Sequence, residues 1–241
     1  MNLIDDLLNS LREDAPVREV LTGAHWTVVC SRHCGMASTI VGDKPHGHDR
    51  VREVGNLLAL SARELAEYAR SEVLLEASLG LAAINSLVEV DAKGAVEMNA
   101  LEVLLERGAG KPVALVGHFP FIPKLRQAAG RLYVLEEHPA EGEYPAEAAA
   151  DWIPQSEVVA ITGSALINHT MDGLLRLCQP DALVLVLGPS TPLSPVIFDH
   201  GVSIISGTQV LDEAAVLRTV GQGANFQQVE GVKLLTLTSG K

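Results

Sequence analysis

The residues Leu183-Val-Leu-Val-Leu187 form an unbroken apolar run that stops at Gly188 and passes at once into Pro-Ser-Thr-Pro-Leu-Ser-Pro195. Five apolar residues without alternation describe a strand buried on both faces, the usual state of a parallel sheet covered by helices. The Gly188-Pro189-Ser190-Thr191 turn then falls at the carboxyl end of that strand, where open α/β sheets place their ligands. One short stretch thus predicts both an architecture and the edge on which a site lies.

The rest of the second half agrees. Strand-like runs at Val113–Gly117, Arg131–Glu136, Val158–Thr162, Val202–Ser206 and Val232–Thr238 alternate with helical stretches at Pro123–Ala129, Ala146–Ala150, Asn168–Cys178 and Asp212–Val220. Alternation of this period implies right-handed crossovers and a mainly parallel sheet with helices on both faces. The first half differs. An amphipathic helix over Leu3–Leu11 precedes short strands at Val17–Leu21, Trp26–Cys30 and Gly35–Val41. A capping box, Ser61-Ala-Arg-Glu64, then opens a helix, and a helical stripe runs over Ser71–Leu87. The chain therefore reads as a small α+β domain, residues 1–108, joined by Gly108-Ala-Gly-Lys-Pro112 to an α/β domain, residues 109–241.

Composition narrows the function class. A formal charge of −12 over 241 residues argues against a nucleic-acid partner, which needs clustered Lys and Arg, and against an anionic membrane surface. No apolar run approaches the ~20 residues of a membrane span. The acidic, amphipathic N-terminus is unlike a basic-then-apolar signal peptide. Cys30, Cys34 and Cys178 are an odd count without framework spacing, so reduced thiols in a cytoplasm are expected. A homo-oligomer would be unsurprising for an apolar-rich, aromatic-poor α/β chain.

Several expected strand ends carry similar punctuation: Gly117-His-Phe-Pro-Phe121, Thr162-Gly-Ser-Ala-Leu-Ile-Asn168-His-Thr170, Gly188-Pro-Ser-Thr-Pro192 and Ser206-Gly-Thr208. In a parallel sheet these ends share one edge, and glycines beside small hydroxyls suit either helix caps or ligand oxygens. His118 is the best candidate for acid–base work, having the right unperturbed pKa. Glu136 ends the second strand about 20 residues after Gly117, where a ribose-binding acid lies in dinucleotide folds. The phosphate fingerprint itself fails, because bulky residues and a proline follow Gly117. P-loop and nucleophile-elbow motifs are absent. A second cluster, His25, Cys30, His33, Cys34, His46, His48 and Asp49, offers sulfur and imidazole ligands suited to Zn, Cu or Fe. Its spacing matches no tight zinc template, and a solvated histidine loop explains it too. Within it Cys30, Cys34, His46 and His48 are the candidate metal ligands.

The motifs Gly117-His-Phe-Pro-Phe121, Ile161-Thr-Gly-Ser-Ala-Leu-Ile-Asn168-His-Thr170 and Gly188-Pro-Ser-Thr-Pro-Leu-Ser-Pro195, with Cys34-Gly-Met-Ala-Ser-Thr39 and Gly80-Leu-Ala-Ala-Ile-Asn85 upstream, resemble the heavy-metal-chelation family, a domain of unknown function. The resemblance covers nearly the whole chain. It implies an enolase N-terminal-like domain followed by a Rossmann-like one, with the site between them. On the matching motif positions, the cleft residues would be His118, Pro120, Glu136, Thr162, Gly163, Asn168, Thr170, Pro189, Ser190 and Thr191, with Asn85 facing them; Gly188 joins the set as the turn residue.

Three functions follow as expectations. The first is a small anionic ligand or metal chelate bound in the cleft, its charge held by helix amides after Gly163 and Gly188. The second is an enzyme using an adenosine-containing cosubstrate, with Glu136 on the ribose. The third is sequestration of a heavy or transition metal ion by the Cys30–Asp49 cluster.

Overall fold

The computed structural model describes residues 2–42, 50–90, 95–96 and 100–240. Helix α1 (Leu3–Ser10) opens the chain, capped by the Asn2 side chain. Next come three antiparallel strands, β1 (Glu19–Thr22), β2 (Trp26–Cys30) and β3 (Cys34–Ser38), in the order β1-β2-β3. Helix α2 (Ala62–Ala66) begins at the expected capping box, with Ser61 and Glu64 each accepting from the other's backbone amide. A 3-10 turn over Glu67–Arg70 leads to α3 (Leu74–Leu87). This helix is buried on nearly every side, because the strands flank one face and the α2 segment the other.

Helix α4 (Ala100–Arg107) was not expected; it lies before the expected boundary at 108, yet it clusters with the core of the second unit. That unit continues through β4 (Pro112–Val116), α5 (Ile122–Ala128), β5 (Arg131–Glu136), β6 (Tyr144–Pro145), α6 (Ala149–Trp152), β7 (Val158–Thr162), α7 (Met171–Leu177), β8 (Leu183–Leu187), β9 (Ile204–Val210), α8 (Glu213–Gly221) and β10 (Val232–Thr238). The sheet order is β10-β9-β8-β7-β4-β5-β6. All its pairings are parallel except β10 against β9. Counted within the unit, the six parallel strands follow the doubly wound order 3-2-1-4-5-6, and the strand order reverses between β4 and β7. The apolar runs lie where both faces are covered: β7 and β8 each have four consecutive buried residues.

Two departures have clear causes. The helix expected over Asn168–Cys178 is α7, which starts only at Met171 after a 3-10 turn (Gly163–Leu166) and a break. His169 adopts a left-handed φ of 58° there, and its Nε2 meets Ser71 O at 2.9 Å. The strand expected over Gly35–Val41 is β3, ending at Ser38, whose amide and hydroxyl turn to Ser190.

The two units share one apolar core. Leu3, Ile4, Leu7 and Leu8 of α1 are buried in it, each contributing about 1.5–3 kcal/mol by burial. Polar joints fix the register of α1: Asp172 Oδ1 accepts from Leu3 N at 3.1 Å, and His200 Nε2 lies 2.9 Å from Asp6 Oδ2. Helix α4 packs Ala100, Val103 and Leu104 against Val113, Leu115 and Leu125.

Candidate functional site

The carboxyl ends of β4, β5, β7 and β8 open into a cavity of about 790 Å³, beside the point where the strand order reverses. Strands β4, β5 and β7 contribute their last residues and the turns after them, and β8 the turn after it. From β4 come Gly117, His118, Phe119 and Pro120, and from β5 come Leu135, Glu136 and Glu137. The β7 end supplies Thr162, Ser164, Asn168 and Thr170, and the β8 end Gly188, Pro189 and Ser190. Gly117 and Gly188 hold φ of +107° and +110°, a left-handed backbone that glycine adopts without steric cost. A Cβ on Gly117 would also come within 2.9 Å of Thr162. Further wall comes from far along the chain: Trp26, Ser38 and Ile40 from the first unit, and Asn225–Gln227 from the turn after α8.

Hydrogen bonds set the polar groups. Thr162 Oγ1 and Ser164 Oγ are 2.8 Å apart. Asn168 donates from Nδ2 to Glu137 Oε1 at 3.0 Å and accepts from the Thr170 hydroxyl at 2.7 Å. The imidazole of His118 is exposed, and its Nδ1 lies 3.1 Å from Glu143 Oε1. The other Glu143 oxygen accepts from Ala140 N at 3.0 Å, so this carboxylate, 5% exposed, orients the ring from beneath. Phe119 stacks on Phe121 with centroids 5.0 Å apart. The indole of Trp26 packs edge-on against Phe226, and its N–H is buried without a hydrogen-bond partner among the described residues.

Of the residues expected at the site, His118, Pro120, Glu136, Thr162, Asn168, Thr170, Gly188, Pro189 and Ser190 line this cavity. Gly163, Thr191 and Asn85 sit behind its wall. A Cβ on Gly163 would lie 2.5 Å from Thr191 Oγ1, so that glycine serves backbone packing. Asn85 Nδ2 donates to Met36 O at 2.8 Å and Ser190 O at 3.1 Å, joining the units. The expected helix N-termini after Gly163 and Gly188 are replaced by a four-residue 3-10 turn and an irregular loop. That removes the dipole and amide array expected to hold an anion.

Sequence reading missed Trp26, Phe119, Glu137, Ser164, Glu143 and the Asn225–Gln227 wall. Glu143 was hidden in an acidic run with the composition of a solvated loop. The Asn225-to-Gln228 capping box was a legible turn signal, although nothing in it pointed to the cavity.

The metal-ligand candidates divide. His46 and His48 lie outside the described residues. Cys30 and Cys34 are cross-strand partners in β2 and β3, with Cα atoms 4.0 Å apart, and form a disulfide. The expectation of reduced thiols is thereby corrected for these two: the three-residue turn between the strands aligns them face to face, a juxtaposition that linear spacing does not show. Cys178 is a free thiol, pushed up to about 11 by burial. No helix among the described residues is long and apolar enough to cross a membrane.

Family models described as "Putative heavy-metal chelation" match residues 4–88 and 99–238. The chain belongs to the DUF364 family, whose model spans residues 99–238, and the model matching residues 4–88 is DUF4213. A crystal structure of a DUF364 protein of unknown function from Desulfitobacterium hafniense superimposes with a TM-score of 0.85 at 30% identity, covering 98% of this chain and 97% of that one. A DUF364 structure from Pyrococcus horikoshii, also of unknown function, shares the fold with a TM-score of 0.82 at 18% identity, covering 98% of each chain. An uncharacterized protein of Methanocaldococcus jannaschii is 27% identical over 188 residues, 74% of this chain and 70% of its own length. The neighbours thus establish the DUF364 fold, a mixed α/β arrangement with a mostly parallel seven-stranded sheet beside a small antiparallel one.

Proposed function

We propose that the protein binds a small neutral or cationic molecule, or a metal ion already wrapped in such a complex, in the cavity at the reversal of strand order. The observation that carries this reading is the pairing of an apolar chamber with an acidic mouth. Trp26, Phe119, Leu135, Leu174 and Phe226 supply apolar wall, and Glu136 and Glu137 supply the charge, with no Lys or Arg in the lining among the described residues. Two carboxylates repel an anion and attract hydroxyl donors and cations. The volume lies within the ~300–1,000 Å³ typical of small-molecule sites.

A bare ion is a poorer fit. Among the described residues, no three His, Cys, Asp or Glu side chains of the cavity bring ligand atoms together. A metal would enter with its own organic ligands, and the family's description supports that half of the reading.

Glu136 supports a second reading, an adenosine-containing cosubstrate. It stands at the end of β5, beside the central β4, in the position of the ribose-binding acid of doubly wound folds. The polyphosphate of a dinucleotide has no glycine-rich cradle here, so a nucleoside without phosphates fits better.

Trp26 allows a direct test. The chain has two tryptophans, and Trp152→Phe leaves Trp26 as the sole indole reporter. Adenosine and a neutral iron(III) hydroxamate complex are titrated against this variant. Saturable change in Trp26 emission with one of them, abolished by adding Ser164→Phe to fill the chamber, is the expected result. Emission that responds to neither, or that responds equally in the filled variant, contradicts the reading.

A further inference from the structure

Outside the cavity, at the turn end of the β2–β3 hairpin and on the same face as Trp26 and Ser38, Cys30, Cys34 and Glu213 bring their ligand atoms within 4.8 Å of one another. The two cysteines come from the antiparallel unit, and the carboxylate from the first turn of α8 in the other. We propose that the reduced Cys30–Cys34 pair, together with Glu213, is a binding site for one thiophilic divalent ion, opened when the disulfide is reduced.

The donor set suits this chemistry. Two thiolates and one carboxylate are ligands for Zn²⁺ or Cd²⁺, and a fourth position remains for water or a neighbouring side chain. Both sulfurs are nearly buried, Cys30 at 0% and Cys34 at 6%, among Val28, Met36, Val216 and Val220. Glu213 opens the site to solvent, its side chain 40% exposed. Arg18 grips this carboxylate through two contacts, Nη1 to Oε2 at 2.8 Å and Nη2 to Oε1 at 2.5 Å. That grip is the largest influence on the acid and, with the nearby His33, holds Glu213 below its ordinary range despite the opposing effect of burial. Each carboxylate oxygen has a second lone pair, so Arg18 need not leave when an ion binds. A divalent ion with two thiolates and a carboxylate carries one net negative charge, which the guanidinium balances.

Arg18 also anchors the hairpin itself, since its amide donates to Cys30 O at 2.7 Å and its Nε to Ser31 O at 2.7 Å. The cysteines and Glu213 are therefore held in place by the same residue before any ion arrives. The chemistry balances without a further component. A phosphine such as tris(carboxyethyl)phosphine reduces the disulfide and becomes the phosphine oxide with an oxygen from water, whose two hydrogens end on the two thiols. The ion then displaces those two protons and forms two metal–sulfur bonds.

The test uses the full chain and Cd²⁺, whose thiolate complexes absorb in the ultraviolet. Phosphine-reduced protein, freed of reductant under argon, should take up one Cd²⁺ per chain with a cadmium–thiolate band and two protons released. Untreated disulfide protein should show no band. Glu213→Gln keeps both sulfurs, so it should retain the band and weaken Cd²⁺ binding by about tenfold or more, the order expected for the loss of one ligand or its support. Cys34→Ser should lose the band, and Glu213→Gln and the disulfide form serve as folded controls if that variant is unstable. Reduced protein without a thiolate band, or Glu213→Gln binding as tightly as the parent, overturns the proposal. Because the cavity contributes no ligand, Ser164→Phe should bind Cd²⁺ normally whatever becomes of the cavity.

Discussion

Glu76 is a carboxylate held 2% exposed in the first turn of α3, where an unpaired charge would be untenable. Arg52 donates to it from Nε and from its backbone amide, at 3.0 and 2.6 Å, and the Ser71 hydroxyl donates at 2.6 Å. Burial pushes this carboxyl up, but the hydrogen bonds from Arg52 and Ser71 outweigh it and hold the group below its ordinary value of 4.5. A depressed folded-state value means that the unfolded chain takes up the proton first. The stability this group supplies is present above about pH 4.5 and is lost as pH falls through its folded value. Glu76→Gln should cost about 3 kcal/mol at neutral pH, because the donors then face a weaker acceptor. Urea unfolding from pH 7 down to 3 should show a flatter acid limb in the variant. A cost under about 1 kcal/mol, or an unchanged limb, would contradict this assignment. The sequence marked Arg52 and Glu76 as charges and their neighbours as a helical stripe. Their pairing was not legible, because it depends on where the chain returns after residue 50.

At the scale of elements, the joint between β3 and the turn after β8 holds the two units at the cavity. Ser190 is 2% exposed, and its Oγ accepts from Ser38 N at 2.8 Å and lies 2.9 Å from Ser38 Oγ. Ser190→Ala leaves the half-buried Ser38 amide without its acceptor and should cost about 1–2 kcal/mol. Denaturant unfolding should remain a single transition with an unchanged slope, and a loss of less than about 0.5 kcal/mol would show the joint to be incidental. The parallel strands β4, β7 and β8 were legible because a strand covered on both faces is apolar throughout. The direction of β10 was not, because the apolar content of a single strand does not say which way it runs beside its neighbour. Asn168 and Thr170 were legible as polar residues near a strand end. Their bonding to each other and to Glu137 was not, because Glu137 follows β5, two strands away from β7 in the sheet.

In the molecule as a whole, a doubly wound sheet ends in loops that leave a crevice where strand order reverses, and the first unit and the Asn225–Gln227 turn wall that crevice into a chamber. The edge on which the site lies could be read from Gly117, Thr162 and Gly188, since a parallel sheet puts all its carboxyl ends together. Its charge could not. Glycine followed by hydroxyls suggested helix amides and an anion, whereas short 3-10 and irregular turns replace those helices and carboxylates stand at the mouth. Trp26 and Phe226 were invisible as wall residues because they reach the chamber from opposite ends of the chain.

Native mass spectrometry of the freshly purified chain, before and after incubation with the small-molecule fraction of a cell extract, tests the central claim most directly when run beside Ser164→Phe. The parent should carry or take up one small organic molecule or metal complex per chain, and the filled variant should carry none. A parent that remains free of any adduct, or an adduct that persists equally in Ser164→Phe, would contradict the assignment of the cavity as the binding site.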